Sequence, residues 1–169
     1  MNSQRFKLDH DYAGIYGLDG DEIKDRLVLD IGADKGSTAE FFLNLGARAV
    51  VCSEPVDGPY FRQLEAYAFN KPEVAVVGGV HSYSDAHGLL KAWKPEVVKL
   101  DCEGAEKWFL RGRLLMRGPR VWLVEAHSQN LYEEYKRVLG RWYSITDVCS
   151  NGNCHTIKAV NFNMSIIKP

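Results

Sequence analysis

The sequence lacks several features that would assign it to a common class of protein. None of its apolar runs is long enough to cross a bilayer, and the N-terminal segment has no apolar core of the kind found in signal peptides. The net charge of -1 provides no general basic field that would collect nucleic acid. We therefore expect a cytoplasmic protein with no membrane attachment, and nucleic-acid binding is not indicated.

Cysteine is also scarce, with four in 169 residues. Cys52 and Cys102 lie in or beside apolar runs, where a thiol usually behaves as a small core residue. Cys149 and Cys154 flank the turn-like segment SNGN. One cysteine pair is a poor zinc signature, and a cytosolic setting disfavours a disulfide. Two free thiols are favoured there, although the sequence leaves their pairing open.

What the sequence does contain is a regular alternation of strand-like and helix-like segments. The β-branched and apolar runs predict strands at 26–31, 48–54, 74–80, 96–101 and 120–126. The segments between and after them predict helices at 37–45, 59–69, 84–92, 103–111 and 129–139.

Nearly continuous apolar strands are typical of a parallel sheet that is covered on both faces. We therefore predict an α/β fold with a mostly parallel, doubly wound sheet. The strand-like segments 142–149 and 161–168 predict an antiparallel addition at the C-terminus. The length predicts a single domain over residues 1–169, in which 1–25 form a short N-terminal segment.

The turn after the first predicted strand, within RLVLDIGADKGSTAEFF, lacks the dinucleotide-binding pattern G-x-G-x-x-G. The position that should be the second glycine is Asp34, whose carboxylate would repel a pyrophosphate. A nicotinamide-dependent oxidoreductase is therefore disfavoured. The sequence also has no phosphate-binding loop of the G-x-x-x-x-G-K-[ST] type.

Acidic side chains are concentrated where the carboxyl ends of the predicted strands should meet. They are Asp30, Asp34, Glu54, Asp101 and Glu103. S-adenosylmethionine offers an ammonium, a sulfonium and a ribose diol, all of which carboxylates can bind. Glu54 follows the second strand, as does the acid that binds the ribose in nucleotide-binding βαβ units. Capping or turn formation is the alternative explanation for Asp30 and Asp34.

Two motifs resemble the FkbM family of S-adenosylmethionine-dependent methyltransferases. VLDIGADKGSTAEFF is similar to its first motif, with Asp34 in place of a frequent asparagine, and VKLDCEGAEKWFL is similar to its second signature, K-I-D-V-E-G-A-E. VWLVEAH, which ends in His127, resembles the E-x-H that follows. The resemblance covers about residues 26–168 and implies a Rossmann-like methyltransferase fold with a reversed last strand. The chain departs from the family in its short N-terminal segment, which implies a reduced cover for the substrate.

The resemblance also implies roles for particular residues. Asp30, Gly32 and Gly36 would line the methionine part of the cofactor, Glu54 would bind the ribose hydroxyls, and adenine would lie near 79–82. The candidate cofactor-binding residues are Asp30, Gly32, Ala33, Asp34, Gly36, Glu54, Val80, His81 and Asp101.

Asp101 and His127 are the candidate catalytic residues. Asp101 ends the fourth strand and could bind a substrate hydroxyl, whereas His127 has a reference pKa suited to a general base. A divalent metal held by Asp101 with Glu125 or His127 is a minor alternative, and we assign no metal site. Helix capping could also explain His127.

These residues predict methylation of an oxygen on a small-molecule or glycan-like acceptor, with catalysis mostly by in-line positioning. A binding module or partner subunit without catalysis is the alternative. The acceptor, oxygen against nitrogen as the nucleophile, and the oligomeric state stay open.

Lys99 is a lone charge within an apolar strand. Because an unpaired buried ammonium is costly, and consecutive strands usually adjoin, we predict a buried ion pair between Lys99 and Glu125.

Overall fold

A single seven-stranded sheet organises the chain. The computed structural model describes residues 11–18, 20–111, 118–151 and 154–161. The strands are β1 Leu27–Ile31, β2 Ala49–Glu54, β3 Val74–Gly78, β4 Val97–Leu100, β5 Val121–Ala126, β6 Tyr143–Asn151 and β7 Cys154–Asn161. Their order across the sheet is β3-β2-β1-β4-β5-β7-β6. The first five strands are parallel, and β7 is antiparallel to both of its neighbours.

Helices connect the parallel strands. They are α1 Tyr12–Tyr16, α2 Gly20–Ile23, α3 Ser37–Asn44, α4 Phe61–Ala68, α5 Tyr83–Trp93, a 3₁₀ helix Ala105–Phe109 and α6 Gln129–Leu139. Ser82 caps α5 and Ser128 caps α6, each by accepting a backbone hydrogen bond three residues on. None of the helices among the described residues is long and apolar enough to cross a lipid bilayer.

The apolar strands are buried because the sheet is covered on both faces. Alternate residues of one strand belong to different core clusters: Leu29 packs with Leu100 and Trp122, whereas Val28 packs with Phe42 and Leu123. This arrangement explains why β1, β2, β4 and β5 read as continuous apolar runs. The α/β class, the mostly parallel sheet and the antiparallel C-terminal addition are confirmed.

Two local features differ from the predictions. A helix was predicted over 103–111, and the structure has a shorter 3₁₀ helix over Ala105–Phe109. Glu103 and Gly104 adopt φ values of 51° and 103°, which an α-helix cannot include.

The C-terminal strands correspond only partly to the predicted ones. The strand that pairs with β5 is Cys154–Asn161, a segment to which the sequence assigned no strand, and all of the predicted strand 161–168 except Asn161 lies outside the described residues. It alternates buried Thr156, Ile157 and Ala159 with partly exposed Lys158 and Val160. Its antiparallel pairing with β6 also explains the two strand-like arms on either side of SNGN.

Candidate functional site

The main cavity lies at the carboxyl ends of β1, β2 and β4, where the order of the strands changes direction. Its volume is about 660 Å³. Six of the predicted cofactor-binding residues line it: Gly32, Asp34, Glu54, Val80, His81 and Asp101. Ala33 lines a smaller adjoining cavity of about 300 Å³, which also contacts Gly32, Asp34 and Asp101.

Asp30 and Gly36 line neither of these two cavities. The carboxylate of Asp30 is fully buried beneath the turn, where it accepts a hydrogen bond from the Thr38 hydroxyl. Gly36 is packed against the ring of Tyr67, which a β-carbon at Gly36 would approach to 2.6 Å. Both residues therefore support the turn from inside the protein.

Gly32 is required by a close approach of two loops. A β-carbon at this position would lie 1.7 Å from the backbone oxygen of Asp101, and the φ of Gly32 is 75°. The loop after β1 therefore touches the loop after β4, which places both loops against the same cavity. This contact gives Gly32 a structural task in addition to its place in the cavity wall.

Glu54 is the most suitable acceptor for a ligand diol. It ends β2, is 8% exposed, and uses Oε2 to accept a hydrogen bond from the backbone N–H of Asp34 at 3.1 Å. Burial raises the pKa of its carboxyl, and the Asp34 N–H opposes that rise. Asp34 holds this N–H in place with a left-handed φ of 51°. The cavity thus contains a partly desolvated carboxylate, and among the described residues no protein group donates to its second oxygen, Oε1.

Lys99 does not pair with Glu125, so the predicted ion pair was wrong. Its Nζ lies 3.2 Å from Oδ1 of Asp30 and 3.5 Å from Oδ2 of Asp101, and it donates to the Gly32 carbonyl at 2.6 Å. The strand order explains the error, because β1 lies beside β4 and Asp30 is the direct neighbour of Lys99.

The electrostatics of this buried pair are strongly coupled. Burial alone would lower the pKa of Lys99, but Asp30, Tyr16 and Asp101 outweigh burial and hold that pKa well above its usual value. Lys99 is 1% exposed and stays charged, so it ties the loops after β1 and β4 together from below.

The structure brings the two predicted catalytic residues together. His127 Nε2 lies 3.4 Å from Oδ1 of Asp101, although the two residues follow different strands. Both side chains are partly exposed, at 25% and 31%. They form a polar pair that a bound acceptor can reach.

Glu106, which was not among the predicted site residues, orients His127. Its carboxylate is fully buried and accepts hydrogen bonds from the backbone N–H groups of Cys102 and Gly104 at 2.8 and 2.7 Å. Nδ1 of His127 lies 3.2 Å from the same carboxylate. Because a carboxylate only accepts, Nδ1 is placed to donate to Glu106, and this contact turns Nε2 toward Asp101.

Aromatic and apolar groups complete the cavity. Trp108 and Tyr60 line it, Tyr60 being 43% exposed, and Lys107 Nζ lies 5.1 Å from the centre of the Trp108 ring. On the side where adenine was expected, the backbone N–H of His81 donates to Asp85 at 3.0 Å and so fixes the loop. Trp108 was missed because its signature motif reads as an ordinary amphipathic helix.

The comparisons with known sequences found no relatives. No protein-family model matches the chain, and no curated protein matches it in sequence. Membership of the FkbM family therefore stays a prediction.

Solved structures do resemble the chain. Precorrin-6y C5,15-methyltransferase from Geobacter metallireducens has a TM-score of 0.65 and 15% identity, with 84% of this chain and 86% of that one covered. Fibrillarin from Aeropyrum pernix, with natively bound S-adenosyl-L-methionine, has a TM-score of 0.63 and 16% identity over 82% and 68% of the two chains. Sp1610 from Streptococcus pneumoniae, in complex with S-adenosyl-L-methionine, has a TM-score of 0.60 and 13% identity over 87% and 69%. At such identities the likeness concerns the fold, and the chain has the Rossmann-like fold of S-adenosylmethionine-dependent methyltransferases.

Proposed function

We propose that the protein is an S-adenosylmethionine-dependent methyltransferase that methylates an oxygen of a small-molecule or glycan-like acceptor. The observation that carries the proposal is that Glu54 and Asp101 line one cavity, with His127 in contact with Asp101 behind its wall. Similar structures that hold S-adenosyl-L-methionine support the choice of cofactor.

Each end of the cavity suits a different part of the cofactor. Glu54 would accept hydrogen bonds from the two ribose hydroxyls, which are strongest when a carboxylate receives them. Val80 and His81 would border the adenine, and Gly32 would let the methionine part approach the backbone. The carboxylate of Asp101 then lies on the side where the sulfonium and its methyl group are expected.

The main task of the protein in this reaction would be to align the acceptor oxygen with the methyl group of the cofactor. An acceptor oxygen attacks the methyl carbon in line with the carbon–sulfur bond, and the sulfur leaves as a neutral thioether. Asp101 would accept a hydrogen bond from the acceptor hydroxyl and take its proton as the methyl group is transferred, and a neutral His127, with Nε2 3.4 Å from Oδ1 of Asp101, would then receive that proton from Asp101. Glu106 would stabilise the imidazolium that forms, through its contact with Nδ1.

Calorimetric titration tests the cofactor, and transfer of a labelled methyl group tests the reaction. We expect binding of S-adenosylmethionine and no binding of NAD. Incubation with methyl-labelled cofactor and a cell extract should yield a labelled small molecule or glycan, and its alkali stability should identify an ether. Binding without any transfer would instead assign a non-catalytic module, and binding of NAD alone would contradict the proposal.

A further inference from the structure

Beside Asp101, three side chains of different chemistry converge. One ligand atom from each of Glu125, His127 and Cys154 lies within 4.8 Å of the others. Glu125 and His127 come from the end of β5, and Cys154 begins β7, the antiparallel neighbour of β5. The thiol of Cys154 already donates to Oε1 of Glu125 at 2.8 Å. The sheet topology therefore assembles a sulfur, a nitrogen and an oxygen at one point.

The imidazole in this cluster is held in the orientation that metal ligands need. A metal-binding histidine usually donates its other ring N–H to a carboxylate, which fixes its tautomer and its direction. The carboxylate of Glu106 is fully buried and lies 3.2 Å from Nδ1 of His127. It also accepts hydrogen bonds from two backbone N–H groups, which hold it in place. Nε2 is then the ring nitrogen left to bind a metal ion, which would displace any proton it carries.

We propose that Glu125, His127 and Cys154 bind a single transition-metal ion of the Zn²⁺ type, leaving a fourth position open. Thiolate and imidazole ligands favour Zn²⁺ over Mg²⁺ or Ca²⁺, which prefer oxygen. Metal bonds of about 2.0–2.3 Å place tetrahedral ligands roughly 3.5 Å apart. The three atoms reach that geometry from their present separation by small side-chain movements.

Binding exchanges a proton for the metal. The metal–sulfur bond forms as the thiol proton leaves Cys154 for solvent, and the hydrogen bond to Glu125 gives way to a metal–oxygen bond. Three protein ligands with one open position are the pattern of catalytic rather than structural zinc. Asp101 Oδ1, 3.4 Å from Nε2 of His127, lies next to that position.

The metal site itself does not depend on the proposed function, but the catalytic role described next for the metal rests on that proposed function. An acceptor hydroxyl in the open position would be acidified by the metal and would attack the methyl group as an alkoxide. Its proton would pass to Asp101 but not on to His127, because the metal occupies the lone pair of His127. The metal would replace His127 in promoting deprotonation of the acceptor.

Cobalt titration of the purified, metal-free full chain tests the site directly. We expect one equivalent of Co²⁺ to bind with the charge-transfer absorption of a cobalt–thiolate bond, and Zn²⁺ to displace it. Cys154→Ser should abolish this band, whereas Cys149→Ser, on the exposed arm of the same hairpin, should keep it. Absence of the band in the unchanged protein, or its survival in Cys154→Ser, would overturn the proposal.

Glu106→Gln provides the second variant. Loss of the carboxylate that orients His127 should weaken Co²⁺ binding about 10- to 100-fold, while the cobalt–thiolate band persists at saturation. Unchanged affinity would contradict the orienting role of Glu106. Cys154→Ser should still bind S-adenosylmethionine in calorimetry, which also shows that it is folded, so that failure of the metal site and failure of the proposed function are distinguished.

Discussion

At the scale of single residues, Glu54 has a position that only a ligand explains well. A carboxylate that is 8% exposed and has one protein hydrogen bond is costly to desolvate. The cost of desolvating the Glu54 carboxylate is offset if two ribose hydroxyls donate hydrogen bonds to it when the cofactor binds. Two predictions follow from this position.

Glu54→Ala should weaken S-adenosylmethionine binding at least tenfold, which corresponds to about 1.4 kcal/mol, because the charge-assisted hydrogen bonds to the diol are lost. Glu54→Gln, of nearly the same shape, should retain part of the affinity. Isothermal titration calorimetry measures both. An unchanged affinity in folded Glu54→Ala would remove this residue from the site.

Cofactor affinity should also depend on pH through Glu54. Burial raises its pKa above the ordinary 4.5, so protonation begins at a higher pH than for an exposed glutamate, and affinity should fall as the pH falls through that raised value. Glu54→Gln should lose this dependence.

The pH dependence of stability in the unliganded protein has the opposite sign. The pKa of Glu54 is higher in the folded than in the unfolded protein, so the free energy of unfolding decreases as the pH rises from 4.5 through the folded-state pKa.

Lys99 offers a third prediction at this scale. Lys99→Met leaves the buried carboxylate of Asp30 without its cation and should lower the free energy of unfolding by roughly 3 kcal/mol. Lys99→Met combined with Asp30→Asn should cost clearly less than the sum of the two single changes. Urea denaturation of the four proteins measures this cycle, and additive losses would show that the pair is not coupled.

At the scale of elements, the loops after β1 and β4 are built around one another. Gly32→Ala should destabilise the protein by at least about 2 kcal/mol, because its β-carbon meets the Asp101 backbone. Gly104→Ala is a matched control: its φ of 103° is also positive, but open space surrounds it, so only about 1 kcal/mol of backbone strain is expected. Chemical denaturation compares them. The turn motif alone would allow a folded Gly32→Val variant. Because of the clash, that variant is not a suitable probe of cofactor binding.

The elements also show how far the sequence could be interpreted. Apolar runs located β1, β2, β4 and β5 because burial on both faces leaves a continuous signal, and the valines of β3 located this strand at the sheet edge. β7 was not predicted as a strand because His155, Thr156 and Lys158 interrupt its apolar alternation. The partner of Lys99 was not predicted for a topological reason. β4 lies beside β1, so Lys99 pairs with Asp30, 69 residues earlier, and no local sequence pattern indicates this pairing.

The same distinction applies to the candidate site. Asp101 and His127 were predicted to converge because the carboxyl ends of neighbouring parallel strands meet at one edge. The role of Glu106 could not be predicted, since it depends on two left-handed residues that turn its carboxylate inward. The contribution of Cys154 depends on the position of β7 beside β5, and the sequence alone assigned no partner to that segment.

At the scale of the whole molecule, the C-terminal hairpin is tied to the N-terminal helices. Lys158 Nζ donates to the Gly17 carbonyl at 2.6 Å and lies 3.1 Å from both carboxylate oxygens of Glu22. The helix α1 supplies Tyr12 and Tyr16 to the wall of the smaller cavity, next to Asp101. The hairpin thus holds one wall of the acceptor side in place.

Lys158→Met should loosen this wall. We expect faster hydrogen–deuterium exchange in residues 12–23 and an unchanged rate in β1 to β4, because the link removed is local and only partly buried. Mass spectrometry of peptic peptides measures these exchange rates. As a control, Lys136→Met breaks the more exposed pair with Asp147 and should leave residues 12–23 unaffected. Equal exchange in Lys158→Met and the unchanged protein would contradict the link.

The position of β7 between β5 and β6 also sets the order in which a nascent chain can complete its sheet. Ribosomes deliver β6 first, yet β6 has no strand to join until residues 154–161 have emerged. Throughout that interval the edge of β5 is unpaired, and its buried Trp122 and Val124 lack the cover of Ile157. Such an edge can pair with another unfinished chain. Slow translation of the codons for residues 127–161 should therefore increase aggregation during expression more than slow translation of the codons for residues 11–45.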